Sequence, residues 1–496
     1  MLSKSQYCAF VQCPRNLWLK TYKPELATPD TSIEARMEAG NEIGDLAMQL
    51  FGDFVEVTAH KEDGRMDLSE MICRTNDLIL QGHPVICEAS FSYNGNYCAV
   101  DILKREGNGY AIYEVKSSTH ANEIYATDIA YQKYVLEHCG VNVTGTYLVC
   151  LNSEYIFDGT LDIHKLFRIV DLSERVAEQY EYVEGNIAAA NDMIDDPIEP
   201  LYGLSEGCKK PYHCPFWAHC SSHLPTPSIF DVYKIPFAQK IAYYNDGIVT
   251  YEDIKNTKEM GNHIRSLQIN YGLSALGTYV DKKGIKKFLS TLSFPLYFLD
   301  FETMQLPIPM FVGTKPYAQI PFQYSLHYLE SPNGELKHTE FLGVSGEDPR
   351  RALAEQLCRD IPKNVCTLAY NKSFECGRIK ELADIFPDLA EHLLNIADNI
   401  KDLIVPFRAG HYYNRAMGGS FSIKSVLPAI YPDDPSLDYH NLEGVHNGGE
   451  AMDLFPRIKD LPIDEQAKAR YHLLKYCELD TYAMVKVWEE LVRITK

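Results

Sequence analysis

The stretch Pro295-Leu296-Tyr297-Phe298-Leu299-Asp300-Phe301-Glu302 decides how this chain is read. A short apolar run feeds into two carboxylates set two residues apart. Alternation along a strand sends such residues to the same face, so Asp300 and Glu302 can share one cation. Alone, Asp-x-Glu is a common pattern, and a solvated strand end accounts for it better. Downstream, Leu368-Ala369-Tyr370-Asn371-Lys372-Ser373-Phe374-Glu375 sets a third carboxylate after a second apolar run, where a helix begins. Tyr476-Cys477-Glu478-Leu479-Asp480 adds a fourth, one helical turn beyond a tyrosine. Between them the patterns predict strands over Phe322–Leu329 and Glu340–Val344. Helices are predicted over Pro349–Asp360, Phe374–Ala383 and Ala467–Thr495, where apolar residues recur at three and four positions.

In their order these segments resemble the DEDD superfamily of 3′-5′ exonucleases, which carry a ribonuclease-H-like fold. The resemblance implies Asp300, Glu302, Glu375 and Asp480 as ligands of two Mg²⁺ or Mn²⁺ ions, with Tyr476 orienting the attacking water. Asn371 and Phe374 complete the middle motif. The chain departs from the family at Glu375, where aspartate is usual; the longer side chain would move an ion by about a methylene. Gly418-Gly419-Ser420-Phe421-Ser422-Ile423-Lys424 is either a phosphate contact through Lys424 or a plain helix start, and Asp402 is similarly undecided.

The first half has its own constellation. Helical stretches at Pro14–Tyr22 and Ser32–Leu50 precede apolar runs at Val85–Phe91 and Tyr97–Leu103. Tyr97–Val115 reads as a hairpin around Glu106-Gly107-Asn108-Gly109, followed by a helix over Thr127–His138 and a strand over Gly140–Val149. Asp101 falls on one hairpin strand, and Glu114 and Lys116 on the other, sharing a face. Asp101 and Glu114 can bind an ion while Lys116 positions water or offsets phosphate charge. Glu-x-Lys by itself is weak. With Gln132 two residues before Tyr134, however, the set resembles PD-(D/E)XK nucleases of the RecB type, in which Gln132 would flank the active site. Such enzymes often carry a histidine on an early helix, and here Gly44 stands in its place. Glu42, Asp45 and Glu88 are the candidate substitutes.

Cysteine spacing is the strongest single signal. Cys208, Cys214 and Cys220 recur at six-residue steps. Zinc held by these thiolates with His213, His219 or His223 is one reading, and burial of apolar cysteines the other. Cys13-Pro14-Arg15-Asn16-Leu17-Trp18 resembles the N-terminal cysteine motif of iron-sulfur RecB-type nucleases, among them CRISPR adaptation exonucleases and the AddB helicase-nuclease subunit. That resemblance implies a [4Fe-4S] cluster on Cys13, Cys208, Cys214 and Cys220, structural in role, with Cys8 spare and zinc as the alternative.

The rest bounds these readings. A chain of 496 residues exceeds one hydrophobic core, and its hydrophobic and charged content is that of a globular α/β, multidomain protein. The net charge of −21 argues against a diffuse basic coat, although carboxylates that hold metal are themselves acidic. With no apolar run of membrane-spanning length and no secretory leader pattern, a cytoplasmic protein with reduced cysteines is expected. The prolines from Pro225 to Pro236 mark a boundary. Gln239–Leu292 reads as mostly helical, and its Gly247-Ile248-Val249-Thr250 turn is an ordinary connector or a helix-hairpin-helix. The expected domains are therefore a PD-(D/E)XK-like domain over 1–225, a helical connector over 226–290 and a ribonuclease-H-like domain over 291–496.

As a whole the chain resembles a bacterial family that joins these two nuclease types. The resemblance implies a metal-dependent, exonucleolytic phosphodiesterase acting on nucleic acid, DNA ahead of RNA. The alternative is a nucleic-acid-binding iron-sulfur scaffold in which one or both centres are inactive.

Overall fold

The computed structural model describes residues 1–29, 33–274 and 276–496, with nothing described of the side chains of 33–35. The protein is α/β and divides into two compact units: Met1–His223 with Leu306–Tyr317, and Leu224–Gln305 with Ala318–Lys496. Among the described residues no helix is long and apolar enough to cross a membrane.

The first unit is built on a seven-stranded mixed sheet of β1 (Leu2–Ser3), β2 (Val55–Glu56), β3 (Val85–Tyr93), β4 (Asn96–Glu106), β5 (Gly109–Lys116), β6 (Val143–Leu151) and β7 (Phe167–Asp171). The order is β2-β3-β4-β5-β6-β7, with β1 pairing parallel to β4. The predicted hairpin is present as the antiparallel pair β4–β5. Its turn is tight on one side: a Cβ on Gly109 would sit 2.1 Å from the carbonyl oxygen of Asn142. Strands β5 and β6 are parallel, so the chain must cross over between them. The helix Glu123–His138 makes that crossing and buries Ile129, Tyr131 and Val135 in a core shared with Phe91 and Leu148. Ile43, Ala111, Tyr113 and Val149 pack together in a second core.

Two expectations need correcting here. The crossover helix starts four residues before the predicted Thr127, and the first residues form a helix, Lys4–Gln12, that periodicity did not single out. A reciprocal cap between Ser3 and Gln6 starts that helix. The predicted early helix is Ile33–Met48 followed by a 3₁₀ turn, and Ser32 lies outside the described residues.

The second unit holds β8 (Thr278–Val280), β9 (Leu296–Gln305), β10 (Gln319–Leu329), β11 (Lys337–Leu342), β12 (Cys366–Ala369), β13 (Ile400–Asp402) and β14 (Tyr412–Asn414). Its main sheet runs β11-β10-β9-β12-β13, with β9 antiparallel to β10 and parallel to β12. Strand period sorts β9 cleanly. Tyr297, Leu299 and Phe301 enter a core with Leu353, Ile379 and Ile396, while Phe298 on the other face meets Trp488 of the C-terminal helix Ile463–Thr495. Asp300 and Glu302 therefore lie on the face covered by that helix.

The stretch expected as a separate connector, 226–290, lies within the second unit. It carries the helices Phe237–Asn245, Tyr251–Ile254, His263–Leu273 and Lys282–Leu289, but also β8, which pairs with β14. Three-residue strands joined across so long a sequence separation leave no local pattern to read, which is why the pair escaped prediction.

Candidate catalytic and metal centres

In the first unit the β4–β5 register brings Asp101 beside Glu114, one step beyond the Ile102–Tyr113 pair. Asp101 Oδ2 accepts the Val115 N–H at 2.6 Å. Glu114 is fully buried, and both its oxygens are taken. Lys4 Nζ donates to Oε1 at 2.8 Å, Lys116 Nζ donates to the same oxygen, and Gln132 Nε2 donates to Oε2 at 2.7 Å. Lys116 also donates to Asp128 Oδ2 at 3.0 Å. Burial opposes ionisation of Glu114, but Lys116 and Lys4 outweigh it and hold the carboxyl well below its usual range. Asp101 goes the other way, pushed up to about 6 by burial and by the Glu114 charge.

Asp101 and Lys116 open on a cavity of about 630 Å³ lined also by Gly40, Gly44, Asp45 and Glu88 among others, with Glu114 and Gln132 buried behind them. A Cβ on Gly40 or Gly44 would meet nothing within 4 Å, so the position at which the sequence has glycine in place of the expected histidine is open space. Of the three substitutes weighed from sequence, Glu42 does not line this cavity, whereas Asp45 and Glu88 do. Glu88 reaches it from β3 through a left-handed backbone at φ +56°, and burial followed by the Asp101 charge raises its carboxyl to about 7.

The second centre draws on three separate segments. Asp300 and Glu302 come from β9, Glu375 from the first turn of the helix Ser373–Ile385, and Tyr476 and Asp480 from successive turns of the C-terminal helix. Asp480 Oδ1 accepts from Tyr439 Oη at 2.7 Å, and Lys424 Nζ donates to Tyr476 Oη at 3.0 Å. One oxygen each of Asp300 and Glu302 and the Cys477 sulfur lie within 4.8 Å of one another. Glu302, Glu375 and Asp480 are all under a tenth exposed, and Glu375 Oε2 is buried with no hydrogen-bond partner. Burial first, then the Asp480 charge, pushes Glu302 up to about 8; burial likewise raises Glu375 to about 8. Asp300 rises well above its usual range for the same reasons, with Glu302 and Glu375 adding to the effect of Asp480. Like charges gathered in a poorly solvated place hold on to protons unless a cation joins them. The carboxylates offer hard oxygen, which suits Mg²⁺ or Mn²⁺, while burial and the neighbouring acids hold the Cys477 thiol well above its usual range.

Cys13, Cys208, Cys214 and Cys220 line one narrow pocket together with Arg15 and Trp217, and all four are free of disulfides. Burial raises the Cys220 thiol to about 11, with Cys214, Cys208 and Cys13 adding to the rise against the pull of Arg15. Gln12 ties the loop in place, its Nε2 donating to the carbonyls of Gly207 at 2.8 Å and Tyr212 at 2.7 Å. The approach is close enough that a Cβ on Gly207 would fall 2.4 Å from the Gln12 carbonyl oxygen. His219 is engaged elsewhere, its Nε2 lying 3.0 Å from Glu199 Oε1. Four converging thiols fit a thiolate-bound cluster or zinc.

Residues 297–422 match the family described as Domain of unknown function (DUF2779). That span contains Asp300, Glu302 and Glu375 and stops before Lys424, Tyr476 and Asp480. The chain is also similar to Uncharacterized protein UU173 of Ureaplasma parvum serovar 3, with 26% identity over 213 residues, which cover 38% of this chain and 30% of that protein.

Asp101, Glu114, Lys116 and Gln132 fall in the first of these places, Asp300, Glu302, Glu375, Tyr476 and Asp480 in the second, and the four cysteines in the third, while Glu42 lies outside them. Four others were not anticipated. Lys4 and Tyr439 reach their partners across 110 and 41 residues, separations that no local pattern spans. Cys477 lies between Tyr476 and Asp480, where the helical pattern gives it no role. Asp128 was within reach, since it lies one turn before Gln132 on the same helix and shares its face.

Proposed function

We propose that this protein is a metal-dependent nuclease that hydrolyses phosphodiester bonds of nucleic acid, DNA ahead of RNA, from chain ends. The observation that carries the reading is that Asp300, Glu302, Glu375 and Asp480 stand near enough for the charges of Glu375 and Asp480 to act on Asp300 and Glu302, with one Glu375 oxygen buried and unpartnered. The strand order β11-β10-β9-β12-β13, with only β10 antiparallel to the strands on either side of it, supports a ribonuclease-H-like DEDD domain. Asp101, Glu114, Lys116 and Gln132 on a β-hairpin and its crossover helix support a PD-(D/E)XK domain of the RecB type.

Divalent ions held by the carboxylates would stabilise charge on the scissile phosphate and furnish hydroxide at neutral pH. The chain's own groups do the positioning. Tyr439 fixes one Asp480 oxygen, and Lys424 holds the Tyr476 hydroxyl while its charge stands beside the developing anion. Cys13, Cys208, Cys214 and Cys220 would bind a [4Fe-4S] cluster that staples residues near the start and end of the first unit.

A second reading is favoured by one observation. Both Glu114 oxygens are already engaged by Lys4, Lys116 and Gln132, and Gly44 offers no ligand, which suits a first centre that holds nucleic acid without cutting it. The test is cleavage of end-labelled single-stranded and duplex DNA and RNA with Mn²⁺ by anaerobically purified protein, Lys116→Ala, Asp300→Ala and the double variant. Loss of about a hundredfold or more is expected in Asp300→Ala. Loss in Lys116→Ala as well would assign work to both centres. Cleavage that survives in the double variant would end the nuclease reading.

A further inference from the structure

Beside the second carboxylate centre, and sharing Lys424 with it, lies a cavity of about 380 Å³. Its walls combine two kinds of side chain. Lys234, Arg408 and Lys424 supply positive charge, and Tyr233, Tyr370 and Phe421 supply aromatic surface. The charge is unusual in this chain, where 68 acidic residues face 47 basic ones. Many of its lysines and arginines are paired with a carboxylate, yet among the described residues neither Lys234 nor Arg408 makes an ion pair, and Lys424 faces the acids of the second centre without a direct one. The cavity joins the centre directly, because Lys424 lines it and also donates to Tyr476.

The walls are built rather than incidental. Lys234 has a left-handed backbone at φ +47°, a conformation unfavourable for a lysine. Arg265 holds it there: Nε donates to the Tyr233 carbonyl at 2.9 Å and Nη2 to the Lys234 carbonyl at 2.8 Å. Tyr233 packs on Phe421 with ring centroids 4.8 Å apart, and Tyr370 Oη donates to the Phe421 carbonyl at 2.7 Å. Across the cavity Asn371, also left-handed at φ +70°, is pinned by Asp402 through its N–H, and its side chain accepts from Arg408 at 3.2 Å. Strain retained on both sides of one cavity marks a surface shaped for a ligand.

We infer that this cavity grips a single-stranded nucleic acid, and that the grip comes from Tyr233 and Lys234 on the segment preceding the sheet. The inference rests on the nuclease reading and gives its substrate class. A base offers its face to an aromatic wall only when it is unpaired and splayed from its neighbours, whereas phosphates meet lysine and arginine in any strand. Aromatic and cationic walls together therefore select a single strand over a duplex. Tyr233 and Lys234 lie outside every motif that suggested the exonuclease, so the selectivity is a property of this chain's own connecting segment.

The test is fluorescence anisotropy of 5′-labelled 12-mers, deoxy and ribo, single-stranded and duplex, bound to the full chain carrying Asp300→Asn to prevent cutting. Tight binding is expected for single strands of either sugar, which share the recognised chemistry; a preference between the two arms would identify the natural source. Lys234→Gln, an exposed substitution, should weaken single-strand binding severalfold and lower the slope of log K against log salt by about 0.7. Tyr233→Leu should weaken it about tenfold at every salt concentration and leave the slope unchanged. Equal affinity for duplex, or a Lys234→Gln variant identical to its parent, overturns the inference. If Asp300→Ala still abolishes cutting in that case, the nuclease reading survives without it. Wild-type protein that neither binds nor cuts any strand removes both.

Discussion

The two carboxylate centres solve the same electrostatic problem in opposite ways. In the first unit a buried Glu114 is balanced by two ammonium groups and an amide before any ion arrives, and its carboxyl is held ionised. In the second unit four carboxylates meet with one lysine nearby, and Glu302 and Glu375 keep their protons up to about 8. A cation adds little charge balance at Glu114, which already has two ammonium partners, whereas the crowded acids of the second centre would gain more from one. On the proposed reading, buried acids on similar strands serve as fixed structure in one place and as an ion receptor in another, depending on whether the fold supplies the countercharge.

The sharpest way to break this contrast is to remove countercharge from the first centre. Lys116→Met leaves Glu114 buried with a single ammonium partner and should cost about 3 kcal/mol. Hydrogen exchange read on β5 peptides should show that loss, and an unchanged exchange rate would refute the idea that lysines hold this centre together. Next in size is the effect of an ion on the second centre. Mn²⁺ at a hundred times its dissociation constant should stabilise β9 peptides by about 2.7 kcal/mol, with little change in β5.

Acidity supplies a third lever with a definite sign. Unfolded, Glu302 and Glu375 give up protons in the ordinary carboxylate range, but folded they keep them to about 8. Their contribution is fully present below that ordinary range and is lost as pH rises through 8. Metal-free melting of the second unit should therefore fall from pH 5 to pH 8, and Mn²⁺ should restore more at pH 8 than at pH 6. Glu114, held low, behaves inversely and weakens the first unit only as strong acid is approached. The smallest effect is expected from Glu302→Gln, which relieves crowding and should stabilise the metal-free second unit by about 1 kcal/mol at pH 8 while abolishing the Mn²⁺ response. A destabilised variant would mean that Glu302 is held by contacts other than those of its neighbouring acids.

How legible all this was depended on distance along the chain. Asp300 with Glu302, and Glu114 with Lys116, stood out because strand period places residues two apart on one face. Tyr476 and Asp480 stood out because helical period stacks residues four apart. Glu375 showed as a carboxylate at a helix start after an apolar run, whereas Gln132 and Cys13 were reached only through resemblance to known motifs, since nothing local ties them to their partners. Lys4 was invisible: its helix is nine residues long, and its meaning lies in a carboxylate 110 residues away. The same holds for β8 and β14, whose short strands exist because each has the other. The division of the chain was read as a simple succession, because composition shows where prolines gather but not where a loop returns.

That return has a consequence for how the protein can be taken apart. Leu306–Tyr317 connects β9 to β10, two strands of the second unit, yet belongs to the first. Within that unit Phe157 exchanges backbone hydrogen bonds with Gly313 and Thr314, and Tyr317 Oη donates to the Ser117 carbonyl, one residue beyond Lys116. A fragment cut near residue 225 would lose the strap that fastens the strand end next to its own lysine. The two halves are therefore not interchangeable cassettes, and recombination that swapped one for another would carry a piece of the wrong neighbour with it.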